Sequence, residues 1–354
     1  MKKIFLLLLF ISQITYSQTL RKYSNEFLSI GVDAAAFGMG KAVVASSKDV
    51  NSGYWNPSGL VNIKDYQGSL MHTEYFAGIS KLDYIGFAMP INSESALGFS
   101  LIRFGVDDIL DTTELIDSQG NIDYNRINLF SAADYAMNMA YAKRLPVQGL
   151  NLGVNAKVVH RRIGDFASSW GFGLDASLQF ERNDWMFGLM LRDITTTFNA
   201  WSIDEDKFNL IKDAIPGQNQ ELPETIELTL PKAQLGIAKK FEITRDYGLL
   251  AEFDLNMRFT KTNDIISTDI VSIDPAFGFQ FDYIEMVYLR GGIGNIQNEL
   301  EFDGSKSVSF QPSLGVGFRY QGIQIDYALT NIGSVGNALY SNVFSLKVDF
   351  DYYR

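Results

Sequence analysis

The sequence predicts an all-β fold: a 14-stranded antiparallel transmembrane β-barrel with an N-terminal hatch plugging its lumen. Period is the first reason. In "GLLAEFDLNMRF" Leu249, Ala251, Phe253, Leu255, Met257 and Phe259 alternate with Glu252, Asp254, Asn256 and Arg258, and "NVFSLKVDFDYYR" sets Phe344, Leu346, Val348, Phe350 and Tyr352 against Ser345, Lys347, Asp349 and Asp351. One face is apolar along the whole segment and the other carries amides and charges, as a strand between lipid and a polar lumen requires. The second reason is an exclusion. The mature chain has no apolar run of about 20 residues, so no helix in it can span a membrane. The third is the length of the connections. Those after even-numbered strands are turns of a few residues, whereas those after odd-numbered strands include 106–131 and 194–230. Outer-membrane barrels have short periplasmic turns and long external loops, so this parity puts both termini in the periplasm. A secreted sandwich or propeller would also alternate, but with shorter strands and turns of mixed length.

In chain order, "MKKIFLLLLFISQITYSQ" has Lys2 and Lys3 ahead of an apolar run and small residues before Gln18. It reads as a secretory signal peptide over 1–17. The chain contains no cysteine, which excludes a lipoprotein anchor, disulfides and thiolate chemistry. Without the two leader lysines, 28 basic residues face 41 acidic ones, a net charge of −13. That sign is wrong for nucleic acid.

Residues 18–65 form the hatch. "IGVDAAAFGMGKAVVASSKDVNSGYWNPSGL" is too apolar to hang free in water, and its alanines and glycines allow close packing. Its exit is a corner. Asn56-Pro57 initiates a turn and Asn56 is held extended, with Tyr54 and Trp55 buried beside it and Gly59 behind. The barrel then occupies 66–354, with strands at about 66–76, 81–90, 95–105, 132–145, 149–163, 169–182, 184–193, 231–243, 247–260, 273–283, 285–293, 309–320, 322–330 and 342–353.

Nothing in the chain has the pattern of an enzyme, a metal centre or a cofactor site. "DSQGNID" (117–123) alternates oxygen-bearing residues, but its glycine is displaced from the calcium-loop position and the twelfth residue is Asn128, which is not acidic. A solvated external turn fits better. His72 and His160 lie on different strands and read as rim or lumen residues. Glu252 and Asp254 read as charge pairing with Arg258 inside the barrel. Pro231, Pro275 and Pro312 fall near strand starts, where a missing ladder donor is tolerated. In the long loop, "SIDEDKFNLIKDAI" has Ser202 and Glu205 in capping-box spacing and Phe208, Ile211 and Ile215 on one helical face. This helix would lie over the barrel mouth, as a partner-binding surface or as a lid packing its own stripe. The inward face, with Lys157, Asp175, Gln179, Glu252, Asp254 and Asp326 among others, is a poor path for an acyl chain.

The corner "WNPSGL" resembles the N-terminal hatch of the FadL-like fourteen-stranded barrels, with Ser58 where alanine is usual. "LGFSLIRFGVDDILDTTELID" (97–117), "NIDYNRINLFSAADYAMNMAYAKRL" (121–145) and "WMFGLMLRDITTTFNAWS" (185–202) resemble strands and loops of the PorV/PorQ family of the type IX secretion system. The resemblance implies a PorV-like outer-membrane component of protein export. Such a protein takes a secreted cargo's C-terminal signal domain from the translocon and carries it to surface-attachment machinery. Its partners would be outer-membrane lipid, type IX components and secreted cargo. The FadL side of the resemblance implies instead a transporter for hydrophobic small molecules.

Overall fold

The computed structural model describes residues 24–116, 119–214, 225–300, 304–330 and 341–350, with the side chains of 210–214 and 300 outside the description. The expected signal peptide, Asp117, Ile215, Tyr352 and the side chain of Ile211 therefore lie outside the described residues. Fourteen wall strands follow in chain order: β1 (Gln67–Tyr75), β2 (Ser80–Asn92), β3 (Ser95–Asp111), β4 (Asn128–Arg144), β5 (Leu150–Ile163), β6 (Ala167–Arg182), β7 (Trp185–Arg192, continued by Thr197–Ile203), β8 (Ile226–Thr229, continued by Lys232–Glu242), β9 (Tyr247–Arg258), β10 (Ser272–Tyr283), β11 (Val287–Leu300), β12 (Lys306–Tyr320), β13 (Ile323–Thr330) and β14 (Ser341–Asp349). A further short segment, Ile266–Ser267, pairs with the start of β10. Each wall strand is antiparallel to the next, and β14 returns to β1 with Gln67 opposite Asp349 and Thr73 opposite Val343. The sheet is closed, so it has no edge strand to protect.

The alternation sorts the faces as the sequence predicts. Phe253, Phe277, Phe279, Leu314, Val316, Phe318, Ile325 and Phe344 point outward and are exposed, while Glu252, Asp254, Asp326 and Ser345 point inward and are buried. The connections after even-numbered strands are all of five residues or fewer, and the long loops all lie at the other end, beside two short turns at 76–79 and 164–166. Three of the turns after even-numbered strands place consecutive residues at positive φ, Asn183-Asp184, Ile284-Glu285 and Gln321-Gly322; the first and last are two-residue hairpin turns of the kind that match strand twist.

The other end differs from the sequence-derived loops. β3 and β4 run further, to Asp111 and from Asn128, so the loop between them is 112–127 rather than 106–131. β7 and β8 are each interrupted and then resume, leaving 204–225 as the loop. The break in β7 has a polar cause. Asp193 and Thr196 take positive φ, the Asp193 amide donates to the Asp175 carboxylate (2.8 Å), and the Lys157 ammonium bridges Asp175 and Asp193 at 2.8 and 2.7 Å. The matching break in β8 falls at Leu230-Pro231, where proline supplies no ladder donor. Pro312 abuts a register shift between Gly294 and Gln297, whereas Pro275 stays in register opposite Leu255.

Candidate functional site

The hatch fills the lumen as two short helices, α1 (Ala34–Gly38) and α2 (Ser52–Trp55), with 3-10 turns at Glu26–Ser29 and Pro57–Asn62. Its first described residues lie on the long-loop side. The Ser24 hydroxyl lies 2.6 Å from that of Thr229, and the Asn25 amide donates to Thr229 (3.0 Å) while accepting from Asn199 (2.9 Å). It ends on the short-turn side, where β1 starts at Gln67.

Between those ends the wall's inward polar residues bind hatch backbone. The Asp254 carboxylate accepts the Val43 and Val44 amides (2.9 and 3.1 Å), and Glu252 accepts the Ala45 amide (2.6 Å). Gln179 donates to the Ala45 and Ser47 carbonyls (3.1 and 2.8 Å). The Ser345 hydroxyl donates to Asp33 (2.9 Å) and accepts the Ala34 amide (3.2 Å). Glu252 and Asp254 therefore do not pair with Arg258, which bonds Asp264 at 3.1 Å instead. Buried carboxylates need such donors, since unpaired burial of a charge is costly.

The wall is also shaved to let the backbone in. A Cβ on Gly188 would overlap the Val44 carbonyl, one on Gly278 the Met39 carbonyl, and one on Gly292 the Gly40 amide. Close approach without a side chain is what glycine permits.

The corner is built as its sequence suggests. Tyr54 and Trp55 are 5% and 4% exposed and meet edge to face at 5.0 Å. The Trp55 indole donates to the Val32 carbonyl (3.0 Å). Asn56 donates to the Val44 and Leu178 carbonyls (2.7 and 3.2 Å), Pro57 opens the 3-10 turn, and the Gly59 amide donates to the Asn56 carbonyl (2.9 Å). Ser58 does more than fill alanine's space. Its hydroxyl donates to the Asn56 side chain (2.6 Å) and its amide to Ser177 (3.0 Å).

The hatch leaves a chamber on either side. The one at the short-turn end is about 770 Å³ and is lined by charged residues including Arg290, Arg319 and Lys347. The one on the long-loop side is about 260 Å³ and is lined by residues including Lys41, Arg192 and Lys232. Trp55 lines both, so it lies between them. Burial pushes the Lys41 ammonium below its ordinary value, with Asp274 pulling the other way.

Other sequence-derived candidates disperse. Helix α3 (Glu205–Ala214) forms in the long loop, capped by Asp204, whose carboxylate accepts the Lys207 amide (3.1 Å). Ser202 is not its cap, because it belongs to β7 opposite Ser168. Phe208 is partly buried, and the stripe with Ile211 and Ile215 extends outside the described side chains. His72 and His160 face outward, not into the lumen: His72 bonds Asp83 at 2.7 Å and His160 stacks on Trp170 at 4.3 Å. Asp123 pairs locally with Arg126 at 3.7 Å. Arg192 escapes the sequence reading, and Ser345 is legible there only as a polar-face residue, since only the closed barrel brings them to the hatch. Arg192 lies over the Tyr54 ring at 4.6 Å and donates to the Tyr54 carbonyl (3.0 Å).

Comparison with known proteins adds the following. The model of the family described as "Type IX secretion system protein PorV" matches residues 16–228. No curated protein matches. In fold the chain is similar to a Pseudomonas aeruginosa FadL homologue, at TM-score 0.51 and 12% identity over 90% of this chain and 98% of that one. It is likewise similar to the monoaromatic hydrocarbon channel CymD (TM-score 0.55, 11% identity, 90% and 96% covered). The Pseudomonas putida toluene transporter TodX stands alongside (TM-score 0.53, 12% identity, 90% and 99% covered).

Proposed function

Because the chain belongs to the PorV family of the type IX secretion system, as an outer-membrane barrel component, we propose that it works as a cargo-docking shuttle rather than as a pore. Secreted cargo would dock on the long-loop side and pass from translocon to surface-attachment machinery. The long loops would be extracellular, the short turns periplasmic and the chain end at β14 periplasmic.

One observation carries this reading: the family match over residues 16–228. A hatch bonded to the wall from several strands, among them β6, β9 and β14, fits a docking protein, which needs surface rather than a path. The surface on offer is the tall β3–β4 hairpin and helix α3, and exposed loops on a rigid scaffold are where recognition usually resides.

Replacing residues 203–216 by a short Gly-Ser linker tests it. The expected result is a folded, heat-modifiable barrel in the outer membrane, with type IX cargo no longer released or attached at the surface. Intact secretion combined with failed growth on a hydrophobic substrate would replace this reading with the FadL-type transporter.

A further inference from the structure

The wall grips the hatch through a pair of acids that has no base. Glu252 and Asp254 point inward from β9 and are 1% and 0% exposed. Each spends one carboxyl oxygen on hatch backbone: Asp254 Oδ2 accepts the Val43 and Val44 amides, and Glu252 Oε1 accepts the Ala45 amide. The second oxygen of each, Glu252 Oε2 and Asp254 Oδ1, is buried and meets no donor at hydrogen-bond geometry. The two side chains are within hydrogen-bonding reach of one another. A Cβ on Gly236 would overlap Asp254 Oδ1, so that glycine keeps room for the unspent oxygen.

Their surroundings supply no counter-charge. Opposite them stand Gly236 and Ala238 on β8, and Ala276 and Gly278 on β10. The hatch segment against them, Val43 to Ser46, has no ionisable side chain. Among the described residues neither carboxylate has an ion pair. Lys41, Arg258 and Asp274 lie towards the long-loop chamber, where Arg258 is held by Asp264. Towards the short turns, Lys48 is held by Glu181 and Arg290 by Asp326. Two ionised carboxylates in such a pocket would be unpaired and would repel each other. Two neutral ones would turn charge-assisted bonds from the hatch amides into weaker ones. One proton avoids both states and satisfies both orphan oxygens, one as donor and the other as acceptor.

We propose that Glu252 and Asp254 share a single proton, held between Oε2 and Oδ1, and that this proton latches the hatch at Val43 to Ala45. The pair then carries one negative charge, spread over the acceptors of three backbone amides. Release of the proton to water sets two anions side by side and loosens the segment they hold. Val43 and Ser46 line the chamber on the short-turn side, so the latch follows the pH of that compartment. Replacement of α3 leaves β9 and the hatch in place, so this proposal and the shuttle reading can fail separately.

The test is infrared spectroscopy of the full-length protein in nanodiscs and heavy water, where a protonated carboxyl group has a carbonyl stretch distinct from those of carboxylates and amides. Glu252→Gln and Asp254→Asn each put an amide nitrogen where the proton sits, so each should fold and keep 43–45 protected from exchange. Each should remove one protonated-carboxyl band, and the double variant should remove no more than either alone. No loss in the single variants means that both acids are ionised, and losses that add in the double variant mean that both are protonated. Either result overturns the proposal. Added base should abolish the native band, and 43–45 should then exchange ten-fold or more faster than in Glu252→Gln at the same pH. Comparison at one pH cancels the intrinsic base catalysis of exchange. A band that survives to the alkaline limit of folding, or one that vanishes without that difference, overturns the latch. Should one single variant fail to fold, the other supplies the same subtraction.

Discussion

At the scale of single residues, the hatch is held by contacts that one atom can disturb. A methyl group on Gly278 or Gly188 would overlap hatch carbonyl oxygens, and overpacking of this kind costs about 1–3 kcal/mol. Gly278→Ala and Gly188→Ala should therefore speed amide hydrogen exchange across 38–45 while strand amides keep their protection. Asp254→Ala strands the Val43 and Val44 amides, at about 1–3 kcal/mol for each buried group left unmade. The same exchange window should open further there. If 38–45 exchange no faster in either case, the wall does not hold the hatch. Ser58→Ala, the change toward the usual residue, loses one bond to Asn56 and should lower stability by about 1 kcal/mol, read as a shift in the denaturant midpoint.

Among the elements, strand existence and order were legible and strand ends were not. Alternation depends on the chain alone, so β9 and β14 could be read directly. The break in β7 depends on Lys157 and Asp175 meeting Asp193 across strands, a tertiary cause that leaves no local periodicity. Helix α3 was visible from its apolar spacing, but its cap was misassigned to Ser202, because pairing with β6 outcompetes capping there. The hatch corner was legible because Asn-Pro chemistry is local; the hatch's partners were not, being hundreds of residues away. β14 supplies a prediction at this scale. Phe350 is 47% exposed, faces outward beyond the end of β14 and packs near Phe87. Phe350→Asp puts charge on the lipid side, costing on the order of 0–4 kcal/mol depending on depth, and should reduce the heat-modifiable barrel recovered from outer membranes.

For the molecule as a whole, sidedness and closure give the predictions. The chain has no cysteine, so single cysteines at Thr113 and Lys207 should react with an impermeant maleimide on intact cells, and one at Asp246 only after the outer membrane is broken. The reverse pattern would invert the orientation. In planar bilayers the native protein should be closed, and Trp55→Ala, at the residue that both chambers share, should give discrete conductance steps. Silence in the variant would mean that more than one side chain separates them. The hatch contacts also bear on how the barrel is made. Translation delivers the hatch first, yet its anchors Asp254 and Ser345 follow 211 and 311 residues after the groups they hold. Ser345 lies on the same strand that seals the cylinder against β1. The last hatch anchor and the seal are therefore made by the same strand. Before β9 and β14 follow, the hatch has its β6 partners but not theirs, and a chain lacking β14 would be left unsealed and without the Ser345 anchor.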